Sequence, residues 1–203
     1  MKIKELFGPS KKVVWEEYAN QRNLELYQSK KGSVQRIEIP HHQLIIHLDT
    51  YVVHTGSSMI YYTRLRVPFN QIKAFDFRIF RSHMLTGFLK FFSYQDVEIG
   101  NPDFDHKFVI KGSDERMLKN MFRDHMFRKL LAKEKQFELK IHKAQSRLAK
   151  KLPEGVGELS YHVVGLIKDP VKLDHLTQMM KSCLDQLEKI EVLSRDTSCL
   201  HSY

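Results

Sequence analysis

The fold is decided near the middle of the chain, by the stretch Asp96-Val97-Glu98-Ile99-Gly100-Asn101-Pro102-Asp103-Phe104-Asp105-His106-Lys107-Phe108-Val109-Ile110-Lys111-Gly112-Ser113-Asp114-Glu115. It predicts a turn over 101–103, because proline presets φ while Asn and Asp side chains bind their own backbone. A strand through 104–111 follows, and Gly112 ends it. Ser113 is the predicted cap of a helix whose first turn carries two carboxylates. The stretch therefore specifies architecture.

Three residues of this stretch also suggest chemistry. Asp103, Asp105 and His106 could form an acid–base group, since carboxylates that are buried together take different pKa values. Asp103 nevertheless lies in a proline turn, where turn chemistry explains it fully. We expect no catalytic residue here.

Composition is that of an ordinary globular protein. The chain has 203 residues, of which 42% are hydrophobic and 28% charged. No run approaches the roughly 20 apolar residues of a membrane-spanning helix, and two cysteines make no disulfide framework. We predict a cytoplasmic protein with one α+β domain over residues 1–193, alternatively two lobes of about 1–113 and 114–193, and a disordered tail at 194–203.

The net charge of +9 is concentrated in one segment. Residues 116–151 contain twelve Lys or Arg against only Asp124, Glu134 and Glu138. Localised charge can form an attractive surface for an anionic partner, although lysine-rich helix faces often serve only solubility. With two arginines of a predicted strand added, the candidate basic surface comprises Arg64, Arg66, Arg123, Arg128, Lys129, Lys133 and Lys135.

Alternating and helical patterns define the remaining elements. Strands are predicted at 24–28, 34–39, 44–54, 60–69, 74–80, 137–142 and 159–167. The 60–69 strand alternates, with Thr63, Leu65 and Val67 on one face and Arg64 and Arg66 on the other. Helices are predicted at 10–21 with Ser10 as cap, at 114–132, and at 170–192, where Asp169 is the cap and Pro170 the first helical residue. The apolar stripe of the second helix changes sides near Asp124-His125, which predicts a break there. The fold class is α+β: an antiparallel meander sheet with flanking amphipathic helices. A pleckstrin-homology-like arrangement and two similar strand–strand–helix lobes are the finer alternatives.

Three segments resemble an uncharacterised family of bacterial proteins. They are Tyr62-Thr63-Arg64-Leu65-Arg66-Val67-Pro68-Phe69, the 100–112 motif with Phe104-Asp105 and Phe108, and Leu152-Pro153-Glu154-Gly155-Val156 with Leu159 and Gly165-Leu166-Ile167-Lys168-Asp169. The resemblance spans about residues 15–190. It implies a folded bacterial domain and leaves activity open. Some members of that family resemble proteins that carry membrane helices next to this domain. We identify no such helix in this sequence.

Histidines offer a candidate metal site. His41, His42, His47 and His54 lie close in sequence with Asp49; the weak candidate ligands are His42, His47, Asp49 and His54, and metal sites need three or four converging ligands. Their spacing matches no established ligand pattern, so hydrogen-bonded or surface histidines are the favoured interpretation. Arg64 and Arg66 are similarly ambiguous: they form a basic patch with Arg78, or, as we favour, they pair with Asp76 and Glu98 across the sheet.

The predicted function is a non-enzymatic cytoplasmic binding or scaffolding module for a protein partner. Nucleic-acid or anionic-membrane binding through residues 116–151 is one alternative, and a metal-dependent enzyme that uses the 42–54 histidines is another. No phosphate loop, nucleophile elbow or cofactor motif is present, so no cofactor is predicted. The stripe of the last helix has near-heptad spacing, which suggests a homodimer or, as we favour, intramolecular packing: Leu173, Leu176, Met180, Leu184 and Leu187.

Overall fold

The structure is a computed structural model that describes residues 9–29, 35–84, 96–142, 153 and 155–196. Its helices are α1 (Lys11–Gln21), α2 (Pro102–Asp105), α3 (Glu115–Met121), α4 (His125–Ala132) and α5 (Pro170–Lys189), with a short 3-10 helix at Ser82–Met84. Its strands are β1 (Glu25–Gln28), β2 (Gln35–His41), β3 (Leu44–Thr55), β4 (Ser58–Gln71), β5 (Phe77–Arg81), β6 (Phe108–Gly112), β7 (Glu138–His142), β8 (Val156–Val164) and β9 (Leu193–Ser194).

All nine described strands belong to one antiparallel sheet in the order β1-β2-β3-β4-β8-β7-β5-β6, with β9 beside the end of β4. The α+β class with an antiparallel meander sheet is therefore confirmed. The long β4 pairs with β8 from Tyr62↔Val164 to Asn70↔Val156, and this pairing joins the first half of the sheet to the second. Ser194, the first residue of the predicted tail, lies in β9, while residues 197–203 lie outside the described part of the chain.

The sheet has one apolar face and one polar face. In β4 the alternation predicted from sequence places Thr63, Leu65 and Val67 toward the core, whereas Arg64 and Arg66 point the other way. The helices pack on the apolar face, because α1, α3, α4 and α5 contribute their buried side chains to the same core as these strand residues. The polar face must accordingly satisfy its charges within itself.

Thr63 ties the sheet to the helices. Its Oγ1 donates to the carbonyl of Gly165 at 2.8 Å and accepts from the Ile167 N–H at 3.0 Å. The Ile167 carbonyl in turn accepts from the Trp15 indole Nε1–H at 2.9 Å. Both Thr63 and Trp15 are fully buried. This chain of hydrogen bonds fixes the segment that leads from β8 into α5.

The mid-chain stretch departs from its prediction in two places. Residues 102–105 form the helical turn α2, capped by Asn101, and β6 begins only at Phe108, so the predicted strand from 104 was too long. The reason is Asp105, whose carboxylate accepts hydrogen bonds from the backbone N–H groups of Ile99, Gly100 and Asn101. Asp105 thus organises the loop. The helix cap is also displaced by one residue.

Asp114 caps α3 in place of Ser113, with its side chain accepting from Met117 N at 2.9 Å. The hydroxyl of Ser113 instead accepts from the Asp76 N–H at 3.1 Å. The predicted break at Asp124-His125 is confirmed: α3 ends at Met121, and Asp124 caps the separate helix α4. The two helices can therefore bury opposite stripes, as the change of sides requires.

The apolar stripe of α5 is buried in the core of the same chain. Leu173, Leu176, Met180, Leu184 and Leu187 are all buried, at most 1% exposed, in the core. The intramolecular interpretation is confirmed, and the stripe has no surface left for a dimer.

We predict that Gly112→Ala destabilises the fold. A Cβ at this position would lie 2.7 Å from both the Asp76 carbonyl oxygen and Leu118 Cδ1, and the backbone oxygen cannot rotate away. Overpacking of this kind costs about 1–3 kcal/mol. Urea denaturation measures the loss. The control Lys107→Ala, at an exposed position of the same stretch, should stay within about 0.5 kcal/mol; equal stability of the two variants would contradict the close contact.

Candidate functional site

Glu134, between α4 and β7, is a buried carboxylate surrounded by donors. It is 1% exposed. The Tyr161 hydroxyl donates to Oε2 at 2.7 Å, and Lys172 Nζ lies 2.6 Å from both carboxylate oxygens. His175 Nε2 lies 2.9 Å from Oε1. A buried carboxylate needs such partners, since an isolated one would be strongly disfavoured.

Three separate parts of the fold supply this arrangement. Tyr161 comes from the centre of the sheet in β8, and burial followed by the charge of Glu134 raises its pKa well above the ordinary value. The phenol is therefore neutral and donates. Lys172 and His175 lie three residues apart, on one side of the first turns of α5. Burial lowers the pKa of His175, although the charge of Glu134 raises it.

Arg81, at the end of β5, holds the backbone next to Glu134. Its guanidinium donates to the carbonyls of Glu134 and Ala132 at 2.6 Å each and lies 4.4 Å from the ring centre of Phe108. Burial lowers its pKa while Glu134 raises it, and an arginine remains charged at physiological pH. Because its acceptors are neutral carbonyls, Arg81 fixes the loop without losing its positive charge.

These groups border a cavity of about 690 Å³. Its described lining carries four cationic side chains against one carboxylate, a net charge of +3 with histidine neutral. We call it the cationic pocket, and its described lining residues are Arg81, His83, Lys133, Glu134, Lys135, Gln136, Val163 and Lys172. Lys133 and Lys135 belong to the basic surface predicted from sequence, and both are exposed.

On the polar sheet face, unlike in the cationic pocket, the arginines are paired with carboxylates. Arg64 binds Asp49 through two hydrogen bonds of 2.8 Å, and Arg66 Nε donates to the same carboxylate at 3.2 Å. Arg66 also lies 3.8 Å from Glu158. Pairing across the sheet was expected, but the predicted partners Asp76 and Glu98 were wrong, because the register places Arg64 directly opposite Asp49.

The same compensation continues across the second half of this face. Arg78 and Lys140 both pair with Glu138: Lys140 lies two residues further along β7, and Arg78 of β5 lies directly opposite Lys140. Two further cations follow the pattern, Arg36 with Glu38 and Lys111 with Asp96. The arginines of the predicted strand patch are therefore neutralised by acids, and the surplus of positive charge lies elsewhere.

The described part of the basic segment 116–151 does not form one surface. Lys140 lies on the polar sheet face, whereas Lys133 and Lys135 line the cationic pocket on the helix side. Arg128 Nη1 donates to the Phe122 and Arg123 carbonyls, so it caps the end of α3. Arg123 and Lys129 are exposed and lie outside the pocket lining.

The predicted metal ligands are not brought together. Asp49 is held by two arginines, His47 lies 3.6 Å from Glu38, and His54 is exposed near the tip of the β3–β4 hairpin. Burial, followed by the charges of Arg36 and Arg66, lowers the pKa of His47. Among the described residues, His42 is the predicted ligand that belongs to a group of three ligand-type side chains, together with His41 and Asp185.

Sequence reasoning missed Glu134, Tyr161, Lys172 and Arg81 as members of a site. One signal was available: Glu134 is a rare acid inside a basic run. An acid among so many cations suggests a specific ion pair, but its partner Lys172 lies 38 residues away, in α5. That contact depends on how α5 crosses α4.

None of the described helices is long and apolar enough to cross a membrane. No protein-family model matches the chain, and no curated protein matches it. The similarity to a bacterial family therefore stays a prediction.

A solved structure has a similar fold: the crystal structure of the mycobacterial trehalose monomycolate transport factor A, TtfA. The TM-score is 0.52 at 7% sequence identity, with 91% of this chain and 96% of that chain covered. At this identity the likeness is one of fold. It supports the α+β architecture over nearly the whole chain.

We predict that Glu134→Gln destabilises the protein by about 2 kcal/mol, because it removes the charged acceptor of the Tyr161 hydroxyl and the Lys172 ammonium at a buried position. Chemical denaturation at pH 7 gives the value. The same change at Glu188, which pairs with Arg195 at the surface, should cost under about 1 kcal/mol. A Glu134→Gln variant as stable as Glu188→Gln would show that Glu134 is not the anchor of this cluster.

Proposed function

We propose that this protein is a non-enzymatic binding module that holds an anionic group of its ligand in the cationic pocket. The observation that carries the proposal is the net charge of +3 around a cavity of about 690 Å³. That size lies within the range of about 300–1,000 Å³ that small-molecule sites occupy. Uncompensated cations beside a cavity attract phosphate or carboxylate groups.

The ion pairs of the pocket support binding in preference to catalysis. Glu134 is engaged by Tyr161 and Lys172, so its carboxylate orients Lys172 and is not free to act as a base. Tyr161 donates to Glu134 as a neutral phenol. The free cations at the rim are Lys133 and Lys135, whose exposed ammonium groups suit a ligand that arrives from solvent.

The fold likeness is compatible with such a role but does not carry it. TtfA is, by its title, a transport factor for trehalose monomycolate. A binding or accessory role for this chain is consistent with that description of TtfA. Its cytoplasmic location and its membership of the resembled bacterial family are part of the proposal.

We expect the pocket to bind inorganic pyrophosphate, a small probe with closely spaced negative charges. Isothermal titration at low salt should give saturable binding that weakens as salt rises. The double variant Lys133→Ala/Lys135→Ala should lower the affinity at least ten-fold, because it removes the two rim cations.

A matched double variant separates the pocket from the general charge of the segment. Lys119→Ala/Lys129→Ala removes the same number of charges from α3 and α4, outside the described pocket lining. It should leave pyrophosphate affinity within about two-fold. If both doubles weaken binding equally, or if both lose heparin retention equally, the basic segment acts as a diffuse surface for nucleic acid or membrane, and the pocket proposal fails.

A protein partner at the β3–β4 hairpin is a second candidate function, favoured by exposed apolar side chains there. The hairpin tip pairs Val52 with Tyr61 and His54 with Met59. Met59 is 59% exposed and Tyr61 is 45% exposed, and both lie on the same face of the hairpin as Val52. Contiguous exposed apolar surface marks interaction sites more often than chance exposure does. The members of this apolar tip are Val52, Met59 and Tyr61.

Site-specific photo-cross-linking in the native host tests this candidate. A cross-linker at Met59 should form an adduct of discrete mass, and Tyr61→Ser should abolish it without changing the melting temperature by more than a few degrees. The control is a cross-linker at Lys119, an exposed position of α3. Adducts at both positions, or at neither, would rule out the apolar tip as a specific docking surface.

A further inference from the structure

We propose that His41, His42 and Asp185 form a binding site for a divalent transition metal such as Zn²⁺. The ligand atoms of the three side chains all lie within 4.8 Å of one another. His41 Nε2 lies 2.8 Å from Asp185 Oδ1, and His42 Nε2 lies 3.5 Å from the same oxygen. The cluster lies where the β2–β3 turn contacts α5.

These separations suit a metal. Ligands at 2.0–2.2 Å from a tetrahedral Zn²⁺ lie about 3.3–3.5 Å from one another. The contact from His42 to Asp185 already has this length, and the other separations reach it with shifts of about 1.5 Å or less. His42 and Asp185 are exposed, at 43% and 47%, so rotation of these two side chains can close the site around the mostly buried His41, which is 12% exposed.

The backbone brings two consecutive histidines to one place. Successive side chains of a strand point to opposite faces. His41 ends β2 on the face of Ile37 and Ile39, which the helices cover, so His42 would ordinarily point away. His42 instead has a φ of 53°, in the left-handed region that tight two-residue turns such as the one between β2 and β3 favour. This conformation turns its ring back, and the two imidazole centres lie 4.3 Å apart.

The ligand set selects the class of metal. Two imidazoles and one carboxylate suit Zn²⁺, Cu²⁺ or Ni²⁺, whereas Mg²⁺ and Ca²⁺ prefer oxygen ligands. Burial lowers the pKa of His41, the hydrogen bond and charge of Asp185 raise it, and the charges of His42 and Lys181 lower it.

A metal here would connect two parts of the chain. It would bind the β2–β3 turn through both histidines and α5 through Asp185, and water would complete the coordination. Three protein ligands and an open position describe an accessible site more than a closed structural one. The cationic pocket lies at another part of the fold and shares no residue with it.

The test is titration of chelator-treated full-length protein with ZnCl₂ at pH 7.5, in parallel with MgCl₂. The wild-type chain should bind one Zn²⁺ with a rise in melting temperature, and Mg²⁺ should produce neither effect. His42→Gly and Asp185→Asn should each weaken Zn²⁺ binding at least ten-fold and remove the thermal shift. His42→Gly folds readily because glycine adopts a positive φ without strain.

A matched control separates this site from scattered histidines. His54→Ala removes an exposed imidazole from the other hairpin and should change Zn²⁺ affinity less than two-fold. Paramagnetic Ni²⁺ should broaden amide NMR signals of the β2–β3 turn and of α5 around residue 185. Wild-type protein that fails to saturate with Zn²⁺, or His42→Gly that binds as wild type does, would overturn the proposal.

Discussion

The pairing of β4 with β8 is the contact on which the rest of the structure depends. β4 is 14 residues long and carries β3 on one side and β8 on the other, so it joins the two halves of the sheet. The same pairing determines which side chains of β8 point to each face of the sheet. Tyr161 is directed to the helix side, where it reaches Glu134, while His162 reaches the Tyr51 hydroxyl on the polar side. A register shift of one residue would exchange these roles.

The protein deals with positive charge in two ways. On the polar sheet face the described arginines and lysines pair with acids, in a neighbouring strand for Arg64 and Asp49 and in the same strand for Lys140 and Glu138. The described lining of the cationic pocket has four cations against one carboxylate, and the Arg81 guanidinium donates to neutral carbonyls. Neutralised pairs stabilise little and attract little. Uncompensated cations beside a cavity are the ones that can recognise a ligand, which is why the pocket carries the proposed function.

The reliability of the sequence predictions followed the range of the interactions involved. The break at Asp124 was predicted because the change of apolar stripe is visible within a dozen residues, and α5 because Asp169-Pro170 opens one long amphipathic helix. The strand through 104–107 was wrong because Asp105 turns back on three backbone N–H groups. The predicted partners of Arg64 were wrong because the local sequence pattern does not determine strand register.

The sequence by itself determined the α+β class, the two-faced alternation of β4, the helix caps at Ser10 and Asp169, and the location of the positive charge, because each depends on neighbours within a few residues. Only the tertiary structure decided where that charge is cancelled and where it remains. Glu134 and Lys172 are 38 residues apart, and His41 and Asp185 are 144 apart. Such pairs form only when the sheet is assembled and α5 packs across it, since burial and register then place these side chains together.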